Sequence, residues 1–148
     1  MRRMLVALDA SPRAKGVLRA ALQLGQATGG KLILLRAVGV PVELPIQAYS
    51  LPPGSLSELL VNDAERGLGE LAREVPTELL GGVRVKLGTP WQAICETARE
   101  EEVDLVVIGS HGYGLIDRVL GTTAAKVVNH ADRSVLVVRE TSVRAAKP

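Results

Sequence analysis

The sequence predicts an α/β protein built on one open, mainly parallel five-stranded sheet in the order 3-2-1-4-5, with helices on both faces. Three observations lead there. Five short apolar runs alternate with segments of helical periodicity, the pattern of βαβ units. The first, second and fourth runs are nearly unbroken, as in strands buried on both faces. The two most polar strand ends, Asp9–Ser11 and Gly109–Gly112, follow the first and fourth runs. In the order 3-2-1-4-5 these two strands are neighbours at the switch point, where α/β sheets bind ligands beyond the strands' carboxyl ends. The crossovers are expected to be right-handed.

The elements follow in order. Met4–Leu8 is the first strand. Ser11-Pro12 offers a hydroxyl N-cap with proline at the first helical position. Ala14, Val17, Leu18, Ala21, Leu22 and Gly25 then recur at helical spacing until Gly29-Gly30 ends the helix. Lys31–Val38 is the second strand. The 39–55 loop, with Pro41, Pro45, Pro52 and Pro53, is too rich in proline for regular structure, and a connection this long is often functional. Leu56, Leu60, Ala64, Leu68, Leu71 and Val75 mark a second helix, and Val83–Leu87 a third strand. Thr89-Pro90 opens a third helix with Trp91, Ile94, Cys95 and Ala98 on its apolar face. Asp104–Ile108 is the fourth strand, Thr122–His130 the fourth helix and Ser134–Arg139 the fifth strand. Residues 140–148 read as a flexible tail. With no internal repeat or linker, residues 1–148 are expected to form a single domain.

Composition narrows the function. A chain of 148 residues buries roughly 70% of its unfolded surface and needs no staples. Trp91, Tyr49 and Tyr113 are its only aromatic residues, so the core is built from Leu, Val, Ile and Ala. That scarcity argues against single-stranded nucleic-acid binding, which uses stacking platforms. The 18 basic and 16 acidic residues are dispersed, without the basic block that marks DNA or membrane-surface binding. Cys95 is the one cysteine, which excludes an intramolecular disulfide and a cysteine cluster for zinc. The opening MRRMLVALDASPR is apolar for too few residues to be a signal segment, and nothing approaches the ~18 of a membrane span. The expectation is a cytoplasmic protein with no nucleic-acid or membrane partner.

The chemistry concentrates where the fourth strand empties into a loop with Gly109, Gly112, Gly114 and Gly121 before the helix at Thr122. Glycine lets the backbone approach a ligand closely, and the first turn of a helix offers unpaired N–H donors at the positive end of its dipole. The junction suggests a phosphate-bearing ligand held mainly by main chain.

LVALDASPRA, GTPWQAICETAREEEVDLVVIGSHG and LGTTAAKVVNHADRSVLVVR, together spanning about residues 3–139, resemble the nucleotide-binding branch of the universal stress protein family. Gly109 and Gly112, then Gly121-Thr122, match its signature G-x2-G-x9-G-[ST], except that eight residues, 113–120, stand where the signature has nine. The resemblance implies an adenine nucleotide alpha hydrolase-like fold that binds ATP, with Mg²⁺ or Mn²⁺. It implies Asp9 near the ribose and phosphates as a metal-assisting carboxylate, with Ala10 and Ser11 beside the nucleotide. Ala37 would contact adenine through its backbone, and Ile108 and Gly109 would floor the base and ribose. Gly112, Gly121, Thr122 and Thr123 would wrap the phosphates.

Read as residues, several of these positions carry two roles. Asp9 either joins phosphate oxygens on a divalent cation or bonds backbone amides in a turn. Ser11 either caps a helix or touches ligand. Thr122 and Thr123 either donate hydroxyls to phosphate or cap the fourth helix. Lys126 either reaches a phosphate or is solvated. Asn129 and His130 suit a helix C-terminus, Cys95 and Trp91 the core, and Glu100–Glu102 a solvated helix end. His111 lies in the glycine loop without the partners of a nucleophilic triad, so no catalytic residue is assigned.

Four charge-assisted hydrogen bonds gross roughly 6–12 kcal/mol, against about 8 kcal/mol for micromolar binding. Fast hydrolysis needs a positioned water, a base and charge neutralisation, and no GxxxxGK[ST] motif is present. The expected function is an ATP-binding regulatory or stress-response module, at most a slow ATPase. The alternative is a homodimeric interaction protein of the same fold without nucleotide. In either case strand 5, residues 134–139, is an apolar sheet edge expected to pair with its symmetry mate, as the resemblance also implies.

Overall fold

The computed structural model describes residues 2–39, 52, 54–110 and 120–139. In chain order the elements are β1 (Arg3–Ala7), α1 (Ala14–Thr28), β2 (Lys31–Val38), α2 (Ser55–Ala72), β3 (Leu80–Leu87), α3 (Pro90–Glu100), β4 (Leu105–Gly109), α4 (Thr122–His130) and β5 (Ser134–Val138). The strands form one sheet in the order β3-β2-β1-β4-β5, every neighbouring pair parallel, as the sequence predicts.

Alternation of side chains across the sheet produces two apolar layers. Met4, Val6, Leu32 and Leu34 pack with Val17 and Leu18 of α1 and Leu68 and Leu71 of α2. Leu5, Ile33, Val106 and Ile108 pack with Ile94 and Ala98 of α3 and Val127 of α4. The three central strands are therefore covered on both sides, which is why their runs contain no polar alternation. Among the described residues, no helix is long and apolar enough to cross a membrane.

The structure departs from the sequence reading at several ends. β3 begins at Leu80 rather than Val83, because Gly81 and Gly82 lie within the strand where its pairing with β2 shifts register. α1 begins at Ala14 with Arg13 as N-cap; Ser11 and Pro12 belong to a preceding turn. Gly29 stops α1 as expected, at φ 73°, with its N–H on the Gly25 carbonyl. α4 ends at His130, as expected, with an extended Ala131 as its C-cap, and the His130 ring nitrogen Nδ1 lies 2.8 Å from the Lys126 carbonyl.

The end of α3 is not simply solvated. Glu101 is half-buried and pairs with Arg3 of β1 at 3.0 Å and Arg84 of β3 at 2.9 Å. Beside it, the Asp104 carboxylate accepts the backbone N–H groups of Arg2 at 2.8 Å and Arg3 at 3.0 Å. Those bonds hold the Asp104 carboxyl below its ordinary range, the Arg3 amide having the larger effect. This network fastens the amino end of the sheet.

Candidate functional site

β1 pairs with β2 on one side and β4 on the other, so the chain leaves β1 and β4 in opposite directions at their carboxyl ends. The gap is a crevice of about 320 Å³. Ala7, Leu8, Ile108 and Gly109 form its base, with Leu35 and Ala37 from β2. Ala14 and Val17 of α1 and Pro90 and Ile94 of α3 form apolar walls, and Thr122–Ala124 bring the N-terminus of α4 to one end.

Of the site residues expected from sequence, the crevice gathers Asp9, Ser11, Ala37, Ile108, Gly109, Gly121, Thr122 and Thr123. Ala10 instead lines a wider groove on the α2 side of the same turn. Gly112 lies outside the described residues, as do His111, Gly114, most of the 39–55 loop and the 140–148 tail.

The turn after β1 is built by its own side chains. Asp9 Oδ1 accepts the Ser11 N–H at 2.9 Å, and the Ser11 hydroxyl accepts the Arg13 N–H at 3.3 Å. The Ser11 carbonyl accepts the Ala14 N–H at 3.1 Å. Ser11 is thus a buried turn residue and not the N-cap of α1. Asp9 performs the turn role through Oδ1, and the residue is exposed and lines the crevice.

Gly109 and Gly121 are glycines for different reasons. A Cβ on Gly109 would stand 3.1 Å from Val17 Cγ2, so its absence lets α1 lie close against β4. Gly121 is the N-cap of α4 in an extended conformation that any residue adopts. Its N–H donates to the Ser110 carbonyl at 2.7 Å and is already committed. The amides of Thr122, Thr123 and Ala124 belong to the first turn of α4, which a helix leaves without internal partners. Gly121 has no side-chain cap bond, and Thr122 and Thr123 follow it on the lining of the crevice.

Arg13, Val17, Leu35, Pro90 and Ile94 also line the crevice and were not foreseen. Arg13 follows the Asp9–Ser11 turn directly, and Pro90 opens a helix next to a strand end; both adjacencies were visible signals. Among the described lining residues Asp9 and Arg13 carry opposite charges and the rest are neutral. Lys126 is turned elsewhere: its ammonium lies 5.4 Å from the Trp91 ring centroid, and His130 stacks on the same ring at 4.5 Å. Cys95 is buried, and burial pushes its thiol up.

Among the described residues no three His, Cys, Asp or Glu side chains converge on a metal position. The donor set does not suit a cation held by protein alone. It suits Mg²⁺ or Mn²⁺ shared with a ligand, which needs one carboxylate besides phosphate oxygens and water.

Residues 1–139 match the sequence model described as "Universal stress protein family". The chain is 31% identical to a universal stress protein of Synechocystis sp., over 93% of this chain and 97% of that one. Its structure is similar to that of the universal stress protein UspA from Lactobacillus plantarum, with a TM-score of 0.72, 27% identity, and 93% and 97% of the two chains covered. It is also similar to a universal stress protein solved in complex with cAMP, with a TM-score of 0.61, 25% identity, and the same coverage of 93% and 97%. The fold is the adenine nucleotide alpha hydrolase-like fold of these solved proteins.

Proposed function

The chain belongs to the universal stress protein family, and from that premise we propose that its crevice binds ATP and that the bound nucleotide switches a regulatory, stress-response module. The observation that carries this reading is one crevice with two unlike ends. One end is apolar, between Ala37 and Ile108, and suits a purine. The other presents the first-turn amides of α4 with the Thr122 and Thr123 hydroxyls, and suits phosphates. The likeness to a protein solved with cAMP supports an adenine nucleotide as the ligand.

In this reading adenine lies against Ala37, Ile108 and Gly109, and the ribose passes Asp9, Ala10 and Ser11. The phosphates rest on residues 122–124, with Gly121 shaping their seat. Asp9 would hold Mg²⁺ or Mn²⁺ together with the nucleotide, and the ion would supply neutralisation of the phosphate charge. No general base is assigned, so turnover is slow at most. Regulation requires ATP to bind two states of the protein unequally, through shape or partner preference in the cytoplasm.

The protein acts as a homodimer joined along strand 5. β5 is an edge of the sheet, and Leu136 stands 37% exposed on it, an apolar edge of the kind proteins cover. Light scattering at micromolar concentration should return a dimer, and a monomer refutes this part. The eight-residue spacing 113–120 favours the second reading, a dimeric interaction protein without nucleotide. Equilibrium dialysis of nucleotide-stripped protein against ATP separates the two. The first requires a dissociation constant on the order of micromolar, and no binding at millimolar ATP leaves only the second.

A further inference from the structure

We propose that Arg36, seated in a notch left by Gly67, is a positioning residue that sets the Asp9–Ser11 turn for nucleotide. Arg36 lies on β2 beside Ala37, and its side chain reaches past the end of β1. Its Nε donates to the Leu8 carbonyl at 3.0 Å and its Nη2 to the Asp9 carbonyl at 2.8 Å. A planar fork that spans two successive carbonyls fixes the position and tilt of the peptide between them; a lysine ammonium, a single point donor, does not. The carboxylate of Asp9 is carried by that same backbone.

Gly67 is the second, independent observation. It sits inside the 18-residue helix α2, where glycine weakens a helix relative to alanine. A Cβ there would lie 2.5 Å from Arg36 Nη1. The glycine makes room for the guanidinium. Arg36, Gly67, Asp9 and Ser11 all border the groove on the α2 side, and Asp9 and Ser11 also border the crevice. The turn is one wall with two faces: α2 braces the first through Arg36, and ligand meets the second.

The inference rests on the nucleotide reading above, and its test separates the two. Gly67→Ala displaces the guanidinium while improving helix propensity, so stability and binding should move apart. The melting temperature should hold or rise, and the ATP dissociation constant should increase roughly fivefold or more. Arg36→Lys should weaken ATP in the same direction. In an Asp9→Ala background, Gly67→Ala should add little. Wild-type affinity in Gly67→Ala, or a full additive loss in the Asp9→Ala background, overturns the proposal, as does affinity falling only together with the melting temperature. A wild type that fails to bind ATP counts against the nucleotide reading alone. Hydrogen exchange of the Ser11 amide without nucleotide then decides the positioning by itself: faster exchange in Gly67→Ala supports it, and unchanged exchange overturns it.

Discussion

Replacing Thr122 and Thr123 together with valine should weaken ATP binding and leave the fold intact. Valine keeps the shape and β-branching of threonine and replaces its hydroxyl with a methyl group. α4 has Gly121 as its N-cap and no side-chain cap bond, so the substitutions remove no capping contribution. Thr122 is exposed and Thr123 half-buried at the mouth of the crevice, so no core packing is lost. What remains is the hydrogen bonding to phosphate. One bond to a charged acceptor contributes about 1.5–3 kcal/mol, and each 1.4 kcal/mol is a factor of about ten. Losing one bond therefore costs roughly tenfold to 150-fold in ATP affinity. Adenosine, which has no phosphate, should bind the variant and the wild type equally. Titration calorimetry with both ligands, alongside thermal unfolding, reads all three quantities. Unchanged ATP affinity would show that the phosphates do not rest on α4, and an equal loss for adenosine would show that the crevice itself had been distorted.

Arg13→Gln should reduce ATP affinity more than AMP affinity and flatten its salt dependence, because Arg13 is the cation among the described lining residues; equal losses for both nucleotides would contradict this. Asp104→Asn should lower stability most at neutral pH. Its carboxyl is held low in the folded state, so its contribution is fully present above the ordinary carboxylate value and disappears as pH falls through the folded one. Denaturant unfolding from about pH 7 down to about pH 2 should show the wild-type advantage shrinking, and a constant difference would refute the assignment. Cys95 should resist a thiol reagent in the folded protein and react fully once unfolded, since it is buried and its thiol is pushed up; rapid reaction of the native protein would place it at the surface.

The sheet order was legible because β1, β2 and β4 are buried on both faces, which leaves unbroken apolar runs in the sequence. Lys31–Val38 and Thr122–His130 stand where periodicity and glycine punctuation place them. The start of β3 was hidden because Gly81 and Gly82 resemble turn residues until the β2 edge pairs with them. Ser11-Pro12 has the composition of a helix cap, but the Asp9 carboxylate captures the Ser11 amide first and holds the chain in a turn. The commitment of the Gly121 amide to Ser110 was invisible, because the bond spans the glycine loop. Glu101 looked solvated because its partners, Arg3 and Arg84, come from distant strands. Local rules find elements and candidate residues; contacts between distant elements decide which polar groups remain for a ligand.

A crystal structure of the protein grown with ATP and Mg²⁺ would show whether nucleotide occupies the crevice between β1 and β4. Phosphate oxygens should lie within hydrogen-bond distance of the Thr122, Thr123 and Ala124 amides, with adenine between Ala37 and Ile108. A crevice filled by the protein's own side chains, or phosphates bound away from the start of α4, would contradict this placement.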